Sequence, residues 1–342
     1  MQLELDQIQG TVLRPRPTPY VGAYLLYRID DPAQARLMLR RLVPHVTTAA
    51  DWQEPEDAAW LNIAFSHPGL RALGLSRQVL DGFPQEFREP MRACEAQLGD
   101  LGEGDPTNGK LPERARFDIG LLLIAPDRAT FEAKLAIGHT ARQKLAGVTP
   151  VSRLDIRAPE SGRDHLGLVD RASRPFVSGE SGRPRAGQVR ARAGEFLLGY
   201  VDELGRIATG PGPERLWRNG TYLSIRKLHQ KVALFQRFRK ENEDVYGEEL
   251  PGARLTGCPH MLLCRRAVYG PALPAGVLDD DGIARGVVLE CVNADPGRQF
   301  DFSPHEWIFD PGLPAFVVSK GSEQVFLPGI SGLRYLAGAM PD

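Results

Sequence analysis

Cysteine is scarce in this sequence: four residues in 342, at positions 94, 258, 264 and 291. Thiols so few and so widely spaced do not make a disulfide framework. They read as free cysteines of a reducing cytoplasm, with Cys258 and Cys264 able to pair only where local geometry allows it. Net charge is equally lacking, since 42 basic against 43 acidic side chains leave −1. Such a chain has no global electrostatic reason to bind nucleic acid or an anionic membrane. No apolar run approaches the ~20 residues that cross a bilayer. The acidic opening Met1-Gln2-Leu3-Glu4 carries no basic segment leading into an apolar one, so no secretory leader is expected. Metal-binding C-x-x-C and H-x-x-x-H pairs, a Walker A loop and a Gly-x-Ser-x-Gly elbow are also missing. What remains is a globular cytoplasmic protein without nucleic-acid or membrane partners.

Hydrophobic residues (42%) and charged residues (25%) stand at ordinary globular levels, and the length suits two domains or one duplicated unit. Tyr20 to Ile29 reads as a strand. Asp31-Pro32 follows as N-cap and first helical residue, and Ala35, Met38, Leu39 and Leu42 recur at helical spacing. Trp60 to Ser66 reads as a second strand, with His67-Pro68-Gly69 opening a helix. Phe117 to Ala125 reads as a central strand, and Asp127 caps a helix that buries Phe131 and Leu135. Gly, Pro, Arg and Ser dominate from about Ser152 to Arg192, which predicts long loops. Order resumes with strands at Glu195 to Tyr200 and Asn219 to Arg226, then a helix burying Val232, Phe235 and Phe238. A strand at Val287 to Val292, a helix at Arg298 to Trp307 and a hairpin of Phe316 to Ser319 with Gln324 to Leu327 complete the pattern. Alternation of this kind predicts an α+β architecture: two halves, 1–165 and 166–342, each an antiparallel sheet with helices on one face.

Several stretches resemble the dye-decolorizing (DyP-type) peroxidases. Asp6-Gln7-Ile8-Gln9-Gly10, Leu61 to Phe65 and Gly69 to Leu75 are similar to the family's first domain. Gly194 to Tyr200, Asn219 to Leu223, Arg226-Lys227-Leu228, Cys291 to Asp295, Arg298-Gln299-Phe300 and Phe326 to Gly329 are similar to its second. The resemblance implies a DyP-like fold of two ferredoxin-like halves. It also implies a cavity for haem b, and oxidation of a bulky aromatic or other organic small-molecule substrate by hydrogen peroxide, with homo-oligomers open.

A haem peroxidase needs an axial ligand for iron, an acid/base for the peroxide proton and a cation for the developing charge. The family's Gly-x-x-Asp-Gly element resembles Gly167-Leu168-Val169-Asp170-Arg171, which implies Asp170 as the acid/base. The alternative is a loop aspartate capping a turn. The final glycine is Arg171, which could block the cavity or pair with a propionate. The family's Cys-Pro-to-histidine segment resembles Cys258-Pro259-His260-Met261-Leu262-Leu263-Cys264-Arg265-Arg266, in which an ungapped alignment puts Leu263 at the ligand position. His260, one helical turn earlier, is the implied iron ligand, with Cys264 as a thiolate alternative. One deletion aligns Arg265 with the family's distal arginine ahead of Tyr269-Gly270, and Arg266 stands beside it as a further cofactor-binding residue. The resemblance thereby implies that a helix and a long loop are lost between Leu255 and Tyr269. The contrasting expectation is a haem-free DyP-fold protein that uses the cavity for another reaction, for small-molecule binding or as a partner subunit.

Overall fold

Strand β1 (Val21–Ile29) is followed directly by helix α1 (Pro32–Leu42). The side chain of Asp31 accepts from the Ala33 and Gln34 amides, and the buried face of α1 is Ala35, Met38, Leu39 and Leu42. Strands β2 (Trp60–Phe65), β3 (Ile119–Ala125) and β4 (Val148–Arg157) complete the first unit, with helix α2 (Arg128–Arg142) capped by Asp127. A two-stranded parallel ribbon, β5 (Phe176–Val177) and β6 (Arg190–Ala191), lies in the connection. The second unit is β7 (Thr221–Gln230), helix α3 (Val232–Glu241), β8 (Leu263–Tyr269), β9 (Gly286–Asn293), β10 (Val317–Leu327) and helix α4 (Ile330–Leu336). This computed structural model describes residues 2–14, 16–50, 59–89, 117–159, 162–168, 175–180, 182–242, 263–274, 276–299 and 315–338.

In the first unit the spatial order is β4-β1-β3-β2, and in the second β8-β9-β7-β10, so each unit pairs its four strands in the same ferredoxin-like order. All these pairings are antiparallel. The two sheets join edge to edge at Phe65↔Phe326 and at Arg157↔Val268, closing a single eight-stranded barrel. Closure leaves neither sheet a free edge.

Side chains alternate between the two faces of each strand. On the outer face of the first unit, Ala23, Leu25, Leu61, Ile63, Leu121 and Leu123 pack against α1 and α2 as an apolar layer. The opposite face lines the barrel interior, where Tyr20, Tyr24, Trp60, Leu122 and Ile124 meet Ala267, Tyr269 and Val288 of the second unit. Eight strands leave an interior just wide enough for side chains to fill. At one end of the barrel Ile8, Val12 and Leu13 of the amino-terminal segment pack with Leu223, Leu263 and Val292.

The Ile8-Gln9-Gly10 motif explains its own presence. Buried Gln9 donates from Nε2 to the carbonyls of Ile63 (2.9 Å) and Pro328 (2.8 Å), while its Oε1 accepts from the Ile63 amide (2.8 Å). One amide thus staples the β2–β10 seam, which has a single register pair.

Three expectations differ from the structure, and strand β8 stands where no element was expected. The loop expected from Ser152 is still strand as far as Arg157, because β4 pairs with β1 along its length. Glu195 to Tyr200 is not a strand: Ala193–Glu195 is a 3-10 turn, Phe196 and Leu197 donate to Ala193, and Leu198 and Gly199 donate to the distant carbonyls of Gly220 and Ala208 outside any ladder. The closing hairpin is one strand, β10, with its register shifted between Ser319 and Ser322 around Gly321. The cysteine, arginine and tyrosine run at 263–269 is a strand, β8. The helix expected at Arg298 to Trp307 begins as one turn, Pro296–Gln299, and lies otherwise outside the described residues.

Candidate active site

The outer face of the second unit occupies the place of the apolar layer in the first, yet it is polar. Register pairing sets its rows. Phe326, Tyr222 and Asn293 form the first row. The second is Gln324, Ser224, Cys291 and Cys264, and the third Ser322, Arg226, Leu289 and Arg266. Leu228, Val287 and Val268 follow. At one end Phe83, Phe87, Tyr222 and Phe326 close the layer with ring centroids 5.1–6.4 Å apart. Beyond the other end Val317 meets Val232, Phe235 and Phe316 around α3. A band of polar side chains lies between two apolar clusters.

These polar groups are buried: Gln324 is 0% exposed, Arg226 8% and Arg266 9%. Arg226 Nε donates to Ser322 Oγ at 3.2 Å, and Asn293 Nδ2 donates to Ser224 Oγ at 3.2 Å. Among the described residues neither amide atom of Gln324 has a hydrogen-bond partner, and neither do Asn293 Oδ1 nor the Tyr222 hydroxyl. Each such buried atom costs about 1–3 kcal/mol unless something satisfies it. Burial raises the Tyr222 phenol far above its ordinary pKa, so it stays protonated. Two guanidinium groups and an unsatisfied amide in a sheet–helix layer suit a ligand with anionic and hydrogen-bonding groups.

The two arginines expected at the site part company. Arg266 lies on this polar face with Cys264 and Leu289. Arg265 points the other way, into the barrel, where its Nη2 donates to the carbonyls of Val12 (3.1 Å) and Arg14 (3.0 Å). Alternation along β8 is the reason: adjacent residues of a strand cannot share a face. Sequence spacing alone did not choose between them.

Leu263, at the family's ligand position, is fully buried in the amino-terminal cluster at the barrel end. Cys264 lies directly across from Cys291, their sulfurs 2.6 Å apart. Asp170, Arg171 and His260 lie outside the described residues. The loop leading to Asp170 is described as far as Leu168. Asp164 accepts from Gln230 Nε2 at 2.8 Å and His165 Nε2 sits 2.9 Å from the Tyr269 carbonyl. Leu166 packs with Val232 and Phe235, so the loop is docked on the α3 end of the polar face. Gly167 has φ +80° and open space where a Cβ would stand, so backbone conformation explains this glycine.

Among the described residues no imidazole faces the polar band. His229 is on the other face of β7, His67 Nε2 sits 3.2 Å from the Leu80 carbonyl, and His165 is engaged with Tyr269. The described residues also hold no cluster of three metal-ligating side chains. The band therefore fits the anionic edge of a porphyrin and the charge of a bound peroxide, while the described part of the site supplies no axial nitrogen. No helix among the described residues is long and apolar enough to cross a membrane.

Residues 7–141 match the model of the DyP dimeric alpha+beta barrel domain. The chain is 27% identical over 326 residues to a dye-decolorizing peroxidase of Exidia glandulosa, covering 88% of this chain and 57% of that protein. It is 27% identical over 270 residues to one of Mycena epipterygia, covering 75% and 48%. The chain spans about half the length of the curated relatives it matches. Among solved structures, an ancestral D-type dye-decolorizing peroxidase superposes with TM-score 0.78 at 22% identity, covering 98% of this chain and 99% of that one. A dye-decolorizing peroxidase in complex with 2,6-dimethoxyphenol superposes with TM-score 0.78 at 20% identity, covering 98% and 100%.

Proposed function

We propose that this chain is a haem-dependent oxidoreductase of the DyP type, a reading supported by the match of residues 7–141 to the DyP barrel-domain model and by the shared fold. Its co-substrates are hydrogen peroxide and a bulky aromatic or other organic molecule, met in the cytoplasm. The observation that carries this reading is the polar band: the second unit buries Arg226, Arg266 and the amide of Gln324 where the core of the first unit's helix-covered face buries Ala23, Leu25, Leu61, Ile63, Leu121 and Leu123.

Haem, when bound, supplies the two-electron reduction of hydrogen peroxide. The chain's own residues do the rest. Arg266 and Arg226 offer fixed positive charge to propionates and to the negative charge that builds on peroxide oxygen, inside a layer where such charge is poorly screened. Asp170 moves the peroxide proton, carried by the loop that Asp164 and Leu166 dock beside α3. Gly167 gives that loop its turn, and Arg171 beside Asp170 pairs with a propionate. His260 supplies the imidazole for iron, with Cys264 as the alternative.

A haem titration followed by absorption spectroscopy tests this. A Soret band of one haem per chain is expected, with Asp170→Asn keeping the band while turnover with peroxide falls ~10²-fold or more. Loss of the band in His260→Ala assigns the axial ligand, and loss in Cys264→Ala assigns the thiolate instead.

A second reading is favoured by one observation. Leu263, where the family carries its ligand, is walled into the barrel end and presents nothing to the polar face. On that reading the chain is a haem-free descendant whose polar band binds another anionic small molecule. Full haem supplementation without a Soret band selects it.

A further inference from the structure

We propose that Cys264 and Cys291 form a peroxide-oxidisable dithiol, a redox couple set into the floor of the polar band. The inference does not depend on haem: it holds on the haem-free reading and on the haem reading with His260 as the iron ligand, and it replaces the thiolate alternative for Cys264.

The register carries the argument. Cys264 and Cys291 are direct partners in the antiparallel β8–β9 pair, so both side chains rise from the same face. Directly opposed antiparallel residues have Cα atoms about 4.5–5.5 Å apart, inside the roughly 4.4–6.8 Å window that a disulfide spans. The two sulfurs stand 2.6 Å apart. Bond formation therefore needs a small side-chain adjustment and no change of strand pairing. Both cysteines are buried, at 2% and 8% exposure. They share a row with Ser224 and Gln324 and adjoin the row of Arg226 and Arg266, which places the sulfurs among the polar side chains of the band.

The step balances as follows. One sulfur attacks a peroxide oxygen and the O–O bond breaks, leaving a sulfenic acid and one water. The second sulfur displaces the sulfenic oxygen as a second water, and the S–S bond forms. The dithiol gives up two electrons and two protons, and peroxide is reduced to water.

The test uses the full-length chain, reduced, desalted and then exposed to stoichiometric hydrogen peroxide or, in a parallel sample, to oxidised glutathione. Glutathione disulfide exchanges with thiols without needing a haem iron, so its arm separates this couple from peroxidase chemistry. Both arms should consume two of the four thiols. The intact mass should fall by two hydrogens, and peptide mapping should show a Cys264–Cys291 link that dithiothreitol reverses. Cys291→Ser should remove the link and leave Cys264 as a sulfenic acid trapped by a dione reagent. Four thiols persisting in both arms, or a link through Cys94 or Cys258 instead, overturns the proposal. Should Cys291→Ser fail to fold, the wild-type map decides alone.

Discussion

Glu290→Ala should cost this protein about 3–5 kcal/mol, most of it from leaving a charge stranded inside the barrel. Glu290 is fully buried, and its Oε2 lies 2.5 Å from Arg16 Nη2, whose own side chain is 6% exposed. The Tyr24 hydroxyl donates to its other oxygen, Tyr20 donates to the Arg266 carbonyl at 3.2 Å, and Arg265 stands opposite Glu290 in the strand register. Burial opposes charge on Arg16, but the carboxylate of Glu290, with Tyr20 and Tyr24, outweighs it and holds the guanidinium well above its ordinary pKa. Removing the carboxylate leaves a guanidinium in a low-dielectric interior with its principal counter-charge gone. Replacing both partners, Arg16→Leu with Glu290→Leu, should cost far less than the sum of the single changes, because apolar pairs of similar volume often substitute for buried ion pairs. Urea unfolding followed by the fluorescence of Trp60, buried in the same interior, reads the difference. At a slope of about 3 kcal/mol/M the single change moves the midpoint down by about 1–1.7 M. A loss below about 1 kcal/mol for Glu290→Ala, or strict additivity in the double variant, refutes the reasoning.

Other expectations follow from the same geometry. Gly69→Ala would drive a Cβ into the backbone carbonyl of Asp118, which has no side-chain freedom to yield, so a loss of about 3 kcal/mol or more in thermal or urea unfolding is expected. Burial lowers the pKa of His67, so the folded chain resists the proton that the unfolded chain accepts. Its stability contribution is full above pH ~6.5 and declines as pH falls through the lowered value, by at most about 1.4 kcal/mol per pH unit. His67→Gln should flatten that acid limb in part, since burial also lowers His165 and His229, and an unchanged pH profile removes His67 from it. Asp31→Ala removes the acceptor for two amides of α1 and should cost about 1 kcal/mol by urea unfolding. Arg266→Leu should lower peroxidase turnover ~10²-fold with the midpoint little changed, whereas Arg265→Leu should act first on stability by freeing the Val12 and Arg14 carbonyls. The reverse pattern would place the working cation inside the barrel.

Much of the fold was legible because local signals and burial coincided. The Asp31 and Asp127 caps, the stripe from Ala35 to Leu42, and the apolar runs of β1, β2, β3 and β9 each determine a segment from its own residues. The α+β alternation and two similar halves follow from their order. Where the sequence misled, partners elsewhere in the chain decide. β4 shows mostly polar, half-exposed residues such as Arg153 and Asp155, and it is a strand only because β1 pairs along it. β8 carries two adjacent arginines, and a closed barrel buries both on opposite faces. The apolar run Phe196-Leu197-Leu198 looks extended but is buried by tertiary packing, with the Phe196 and Leu197 amides bonded to Ala193 in a turn and the Leu198 amide to Gly220. Candidate site residues divide the same way. Residue types and motif spacing determined that arginines, cysteines and an aspartate were the groups to weigh. Only strand register decided that Arg266 shares a face with Gln324, that Arg265 does not, and that Cys264 meets Cys291, whereas the pairing with Cys258 lies outside the described residues. A side chain's face is set by strand pairing across hundreds of residues, and closing the barrel from two units turned one face of each sheet inward and left the other to carry the site.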